Sequence, residues 1–183
     1  MKRIVILMDS LNRRFLPAYG NTWVRTPNID RLAARSCVFD NHFVGSAPCM
    51  PARRDIMTGR LNFLEKPWGA MEPFDQSLQS ILSGEKNIHT QMFADHAHYV
   101  IPGGENYTKG FTAWEVNRGQ EGDPVWTRPC KDGIRPDVPP EGFKGTWSEA
   151  ERENRTHFKT EYDYPSVKTM WHAAEWLEDN HDA

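Results

Sequence analysis

The sequence predicts an α/β fold, and three stretches predict it. Ile4-Val5-Ile6-Leu7-Met8 is a short apolar run ending at Asp9, the pattern of a strand buried on both faces between helix layers. His89 to Tyr99 reads as another short strand with polar residues gathered at its carboxyl end, where open α/β sheets place their sites. Ser166 to Asn180 reads as a helix: Ser166 caps it, and Val167, Met170, Trp171, Ala174 and Leu177 form one stripe at helical spacing.

The chain has 183 residues, enough for one domain with a sizeable core. A net charge of −3 with mixed signs gives no basic face for nucleic acid and no like-charge tail. Mean hydropathy is low at −0.70, yet seven Trp, nine Phe and five Tyr are present. Together these describe a folded, aromatic-rich enzyme with long loops rather than a disordered chain. Cys37, Cys49 and Cys130 are odd in number and irregular in spacing, so they make neither a disulfide framework nor a zinc ligand set. The apolar run after Met1-Lys2-Arg3 is too short for a signal-peptide core, and no run reaches the length of a membrane span. The expectation is a cytoplasmic protein with no membrane or nucleic-acid partner.

Along the chain, the strand at 3–8 comes first, with Asp9 at its carboxyl end. A helix begins after Thr26: Thr26 is a natural N-cap, Pro27 suits the first turn, and Ile29, Leu32 and Ala33 share a face. Cys37 to Val44 alternates and is rich in β-formers, so it reads as a second strand or extended run; His42 within it suits hydrogen bonding rather than chemistry. Pro51 opens and Gly59 closes a helix over about residues 51–57, leaving Cys49 just outside its N-terminus. Free backbone N–H groups and the positive end of the dipole then face Cys49. Arg53 can fold back over the same end to hold an anion. Residues 61–75 read as loop, and 77–82 as a short helix closed by Gly84. From 101 to 165 Gly and Pro punctuate a long insertion containing Trp114, Trp126 and Trp147. Its aromatics suit either the rim of a substrate pocket or packing over the domain surface.

Three readings compete for Cys49. A lone thiol is often a buried structural residue. A phosphatase-type thiolate loop needs five residues between cysteine and arginine, whereas three precede Arg53 and four precede Arg54. The third is a resemblance. Cys49-x-Pro51-x-Arg53, followed by Thr58-Gly59-Arg60, resembles the signature of the type I sulfatases of the alkaline phosphatase superfamily. It continues in the strand that ends at Asp9 and in Thr26-Pro27-Asn28 opening a helix.

The resemblance implies a three-layer α/β/α sandwich with a mixed, mostly parallel sheet. It implies that residues 1–183 are the N-terminal portion of a single sulfatase-like catalytic domain, with the remainder outside this chain. Cys49 would be converted to formylglycine by a maturation enzyme, and Asp9 and the modified Cys49 would bind a divalent metal, Ca2+ or, given Ser10, Mn2+. Ser10 departs from the commonest pattern, which has a second aspartate there; the related phosphonate monoester hydrolases and some related sulfatases also lack that acid. Arg53 would stabilise charge on the transferred group. A lysine–histidine pair that touches sulfate in similar proteins aligns with His96 and His98, or one residue earlier with Asp95 and Ala97. An exposed histidine pair without a role is the plain alternative, and a zinc site there would need two further ligands. The implied reaction is hydrolysis of a sulfated small molecule or sugar, with a formylglycine diol attacking sulfur and the aldehyde restored as sulfate leaves. Two alternatives stand beside it: phosphonate monoester or phosphodiester hydrolysis with the same nucleophile, and a catalytically incomplete fragment or binding module.

Overall fold

The computed structural model describes residues 2–126 and 149–182. The described elements are α1 (Pro27–Ala33), α2 (Cys49–Thr58), α3 (Leu78–Ser80), β1 (Gln91–Ala94), β2 (Ala113–Val116), α4 (Glu149–His157) and α5 (Pro165–Asp179), joined by short 3-10 turns. The architecture is helices around a small parallel sheet, a partial α/β fold. In it, β1 pairs with β2 in the register Gln91↔Ala113 to Ala94↔Val116.

Helix α2 ends as its sequence dictates. Gly59 adopts φ 71°, a left-handed conformation that glycine takes without a Cβ penalty, and its N–H closes on the Asp55 carbonyl. The start lies two residues earlier than expected. Cys49 is the first helical residue, Pro48 occupies the N-cap position, and Pro51 sits within the first turn. Proline is tolerated there because first-turn N–H groups have no intrahelical acceptor. In α1, Thr26 stands at the N-cap, but its hydroxyl donates to Asp30 Oδ1 at 3.0 Å instead of capping a backbone N–H. Ser77 and Ser80 form a reciprocal capping box at the start of α3. Gly84 does not close that helix, which runs on as a wide turn over Ile81–Glu85.

Two expected strands are absent. Residues 3–8 join no ladder among the described residues, and Ile4, Val5, Ile6, Leu7 and Met8 are 49 to 82% exposed. An apolar strand of this kind needs a hydrogen-bonded neighbour and a covering layer on each face, and the described residues supply neither. The 37–44 run is also not a strand. It is held from the side, with the Phe39 carbonyl accepting from the Tyr19 hydroxyl at 2.9 Å and the Asp40 carbonyl accepting from Arg13 at 2.6 Å.

The insertion holds more order than its sequence suggests: β2 and α4 both lie inside it. Trp126 stacks on His157 of α4 with ring centroids 4.7 Å apart, while Trp114 on β2 is half exposed. Trp147, Cys130 and the proline-rich stretch 129–140 lie outside the described residues. Helix α5 starts at Pro165, with Tyr164 rather than Ser166 at the N-cap position. Its inward face is also rotated from the expected stripe. Thr169, His172 and Trp176 turn inward, Trp176 stacking on His89 and tilting against Phe93 of β1, whereas Met170 and Trp171 are half exposed.

The small core lies under α2. Met50, Met71 and Tyr107 are buried together, with Met57 and Tyr99 packed against them. The Tyr107 hydroxyl donates to the Met50 carbonyl at 2.8 Å, tying the first turn of α2 to the loop that follows β1. Arg54, 1% exposed, donates two hydrogen bonds of 2.8 Å to Asp75 and one of 2.6 Å to Glu65. Helix α2 is thereby fixed along one side, and its other side carries Cys49 and Arg53.

Candidate active site

Three separate stretches meet at the start of α2. Asp9 lies at the end of the apolar 4–8 run, Cys49 and Arg53 lie one turn apart on α2, and His96 follows β1. Arg53 donates from Nη2 to Asp9 Oδ2 at 3.0 Å. The other carboxylate oxygen of Asp9 accepts from the Ser10 hydroxyl at 2.9 Å. Ser10 can reach it because its backbone is left-handed, at φ 58°. His96 Nδ1 stands 3.8 Å from Asp9 Oδ2, and the ligand-capable atoms of Asp9, Cys49 and His96 all lie within 4.8 Å of one another.

Arg53 is 6% exposed, and its guanidinium sits 5.5 Å over the ring of Tyr99. Its Nε is buried with no hydrogen-bond partner. A buried donor left unpaired is costly, so the guanidinium holds hydrogen-bonding capacity beyond what Asp9 uses. His98 Nδ1 lies 2.9 Å from His96 Nε2, and Trp68 packs edge-on against the His98 ring with centroids 4.8 Å apart.

The electrostatics separate the roles of these groups. Burial pulls Asp9 upward, but hydrogen bonds from Ser10 and Arg53 and the guanidinium charge outweigh it and hold the carboxyl below its ordinary value. Asp9 is therefore a carboxylate at neutral pH. Burial pushes the Cys49 thiol up, and the neighbouring Asp9 charge adds to it against the pull of Arg53. The thiol stays protonated at pH 7, contrary to the needs of a thiolate nucleophile. Arg54, the only arginine near phosphatase spacing, is spent on Asp75 and Glu65. Burial, then Arg53 and His98, push His96 down to about 4. It is neutral at pH 7, a hydrogen-bond partner or a metal ligand rather than a cation.

Asp9, Cys49, Arg53 and His96 thus come together, and His98 adjoins them through His96. Of the two registers left open after β1, the one with His96 and His98 puts ring nitrogens here; Ala97 is buried with no polar side chain to offer. Tyr99, Trp68 and Glu121 were not read as site residues. Tyr99 could have been, as the neighbour of a His-x-His pair, but nothing in the loop around Trp68 or the turn around Glu121 marks either one.

The donors of the first cluster suit a divalent cation. Asp9 brings an anionic oxygen, and an oxygen in place of the Cys49 sulfur would make a second hard donor.

The sulfatase family's sequence model matches residues 3–114. Among curated proteins, human iduronate 2-sulfatase is 46% identical over 57 residues, 31% of this chain and 10% of its own length. Human N-acetylgalactosamine-6-sulfatase is 38% identical over 58 residues, covering 32% of this chain and 11% of that protein. Human steryl-sulfatase is 42% identical over 57 residues, 31% and 10% of the two chains. The matched part of the chain spans about a tenth of the length of these relatives. No solved structure matches the chain.

Proposed function

The chain belongs to the sulfatase family, and on that premise we propose that the whole protein is a sulfuric ester hydrolase whose nucleophile is Cys49 converted to formylglycine. The observation that carries the proposal is the meeting of Cys49, Asp9 and Arg53 at one end of α2. A protonated thiol there is a poor nucleophile, which favours oxidation of the side chain over direct use of sulfur. Hydrated formylglycine supplies a geminal diol: one hydroxyl attacks sulfur, breaking the ester S–O bond and releasing the protonated alcohol, and the other then loses its proton as the C–O bond to sulfate breaks and the aldehyde is restored. A maturation enzyme would carry out the conversion of Cys49.

The remaining residues bind and orient. Arg53, fixed by Asp9 and Tyr99, presents buried N–H groups to the oxygens of the tetrahedral group, where charge grows in the transition state. His96, neutral, donates a hydrogen bond to a non-bridging or leaving oxygen rather than a charge, and His98 supports its ring through the 2.9 Å contact. Asp9 and the oxygen at position 49 would hold a divalent cation, calcium or manganese. Such an ion lowers the pKa of a bound hydroxyl and polarises the ester. The substrate class is a sulfated small molecule or sugar. Polypeptide beyond these 183 residues would complete the catalytic domain and cover the exposed 4–8 run.

Ser10 favours a second reading, phosphonate monoester or phosphodiester hydrolysis by the same group. It stands where a second carboxylate is usual in the family, and its hydroxyl is spent on Asp9. Mass spectrometry of the tryptic peptide holding Cys49 tests the nucleophile: conversion to the aldehyde lowers its mass, and an unmodified thiol in active protein overturns the proposal. Turnover of an aryl sulfate against a phenyl phosphonate by the matured whole protein separates the two ester classes. Undiminished hydrolysis by Cys49→Ala would exclude both.

A further inference from the structure

The ring of His96 faces two ways. Its Nδ1 looks toward Asp9 at 3.8 Å, and its Nε2 looks away from it toward His98 Nδ1 at 2.9 Å. Ligand-capable atoms of His96, His98 and Glu121 also lie within 4.8 Å of one another.

We propose that His96 Nε2, His98 Nδ1 and a carboxylate oxygen of Glu121 form a second cation site, built for zinc or a similar borderline divalent ion. The site is separate from the Asp9–Cys49 side of the same ring. Two imidazoles and one carboxylate are a donor set that zinc takes with a fourth position left to water.

The three donors come from different stretches, each anchored on its own. His96 is 4% exposed at the end of β1. His98 sits on the following 3-10 turn with Trp68 against its ring. The turn at Glu121 is held from α4, where Asn154, 1% exposed, donates to the Glu121 carbonyl at 3.3 Å and to the Asp123 carbonyl at 2.8 Å. Glu121 itself takes a left-handed backbone, φ 52°, at that turn. Without a cation, one ring N–H lies between the two histidine nitrogens. With zinc, both lone pairs point at the ion, and the ring that carried that N–H takes its other tautomer, with the proton on its far nitrogen, so both imidazoles stay neutral. Ligands about 2.0–2.1 Å from a tetrahedral zinc lie about 3.3 Å apart. The two nitrogens therefore need to separate by about 0.4 Å from the 2.9 Å observed, and the rings to turn so that both lone pairs meet at the ion. The site shares His96 and His98 with the proposed reaction, the ion taking over the support that the 2.9 Å contact gives, but its test reads metal binding and not hydrolysis, so the two readings fail separately.

The test is equilibrium zinc binding by the full chain, read by competition with a chromophoric chelator, for the parent and for Glu121→Gln, His98→Ala and Asp9→Asn. Far-UV circular dichroism checks that each variant is folded. Glu121 is exposed and glutamine is isosteric, so that variant keeps a folded control in hand. The expected result is one zinc equivalent that weakens tenfold or more in Glu121→Gln and in His98→Ala and changes less than threefold in Asp9→Asn. Cobalt substitution should give the intense visible absorption of a tetrahedral site in the parent and lose it in Glu121→Gln. No zinc binding by the parent, parent-like binding by Glu121→Gln, or equal loss in Asp9→Asn would each overturn the proposal.

Discussion

Arg53 donates to Asp9 at 3.0 Å across a sequence separation of 44 residues, and that contact joins the end of the apolar 4–8 run to helix α2. Each partner explains the state of the other. The guanidinium helps keep Asp9 ionised despite its partial burial, and the carboxylate lets a charged arginine sit 6% exposed beside Tyr99. The pair leaves Arg53 Nε buried without a hydrogen-bond partner, so the guanidinium is held in place with one donor unused.

Arg53→Ala in the matured whole protein should lower kcat/KM for an aryl sulfate by about 100- to 1000-fold, the usual loss when one donor to a developing oxyanion is removed. Arg53→Lys should restore little of it, because an ammonium cannot both hold Asp9 and offer a second directed donor. Steady-state kinetics on the three proteins checks this. Equal activity in Arg53→Lys and the parent would show that charge alone is enough.

The buried pair on the opposite side of α2 predicts an acid response. Hydrogen bonds from Arg54, against a burial effect that pulls the other way, hold Asp75 below the ordinary carboxylate value. Its folded pKa therefore lies below its unfolded one. The stability it contributes is present above about pH 4 and is lost as pH falls through the lower, folded value. Asp75→Asn should cost about 3–5 kcal/mol at pH 7, because it leaves a buried guanidinium without its main partner. Urea midpoints at pH 7 and pH 3 measure both effects: the parent should lose stability between them, and the variant should lose less.

Local signals in the sequence were read well, and the others were not. Gly59 ends α2 because a left-handed residue is needed there, and one glycine announces that without any tertiary context. The start of the same helix is misplaced by the sequence: Pro51 suits a first turn but does not say which position of it, so Cys49 reads as outside the helix whereas it is the first helical residue, one turn before Arg53. The 4–8 run shows the limit, since an apolar pattern states what a segment would bury but not whether anything covers it. Helix α5 shows another. Apolar residues lie on more than one of its faces, so periodicity chose Met170 and Trp171 where packing chose Thr169 and Trp176. Helix α4, Glu-Ala-Glu-Arg-Glu-Asn-Arg-Thr-His, has no apolar stripe to detect. The turn that carries Glu121 is held in part by Asn154 of that unread helix, and by the bonds of Arg118 and Gly119 to Asp123.

Tyr107 should give the chain an alkaline response. Burial raises its phenol to about 12, so its folded value lies above its unfolded value of about 10. The stability this difference represents is complete below pH 10 and is lost as pH rises from there through 12, because the unfolded chain ionises first. Tyr107→Phe should lose about 1–2 kcal/mol at neutral pH, since the Met50 carbonyl loses its buried donor. Denaturation midpoints taken from pH 8 to pH 11 should then fall less steeply for the variant than for the parent.

Gly104 is fixed by close approach rather than by its own backbone angles. A Cβ there would lie 1.5 Å from the His98 carbonyl oxygen and 3.1 Å from the Tyr99 Cα. Gly104→Ala must therefore push away the turn that carries both His98 and Tyr99, and with it the support of Arg53 and the 2.9 Å contact between His96 and His98. Gly59→Ala is the natural comparison. It is strained by a φ of +71°, but a Cβ there meets nothing within 4 Å, so its cost is the left-handed backbone alone, about 1–2 kcal/mol. Gly104→Ala should cost more than Gly59→Ala in urea denaturation and should also lower hydrolysis by the whole protein at temperatures where both variants are folded. Equal stability losses with unchanged hydrolysis would show that the 97–99 turn yields without disturbing the side chains it presents.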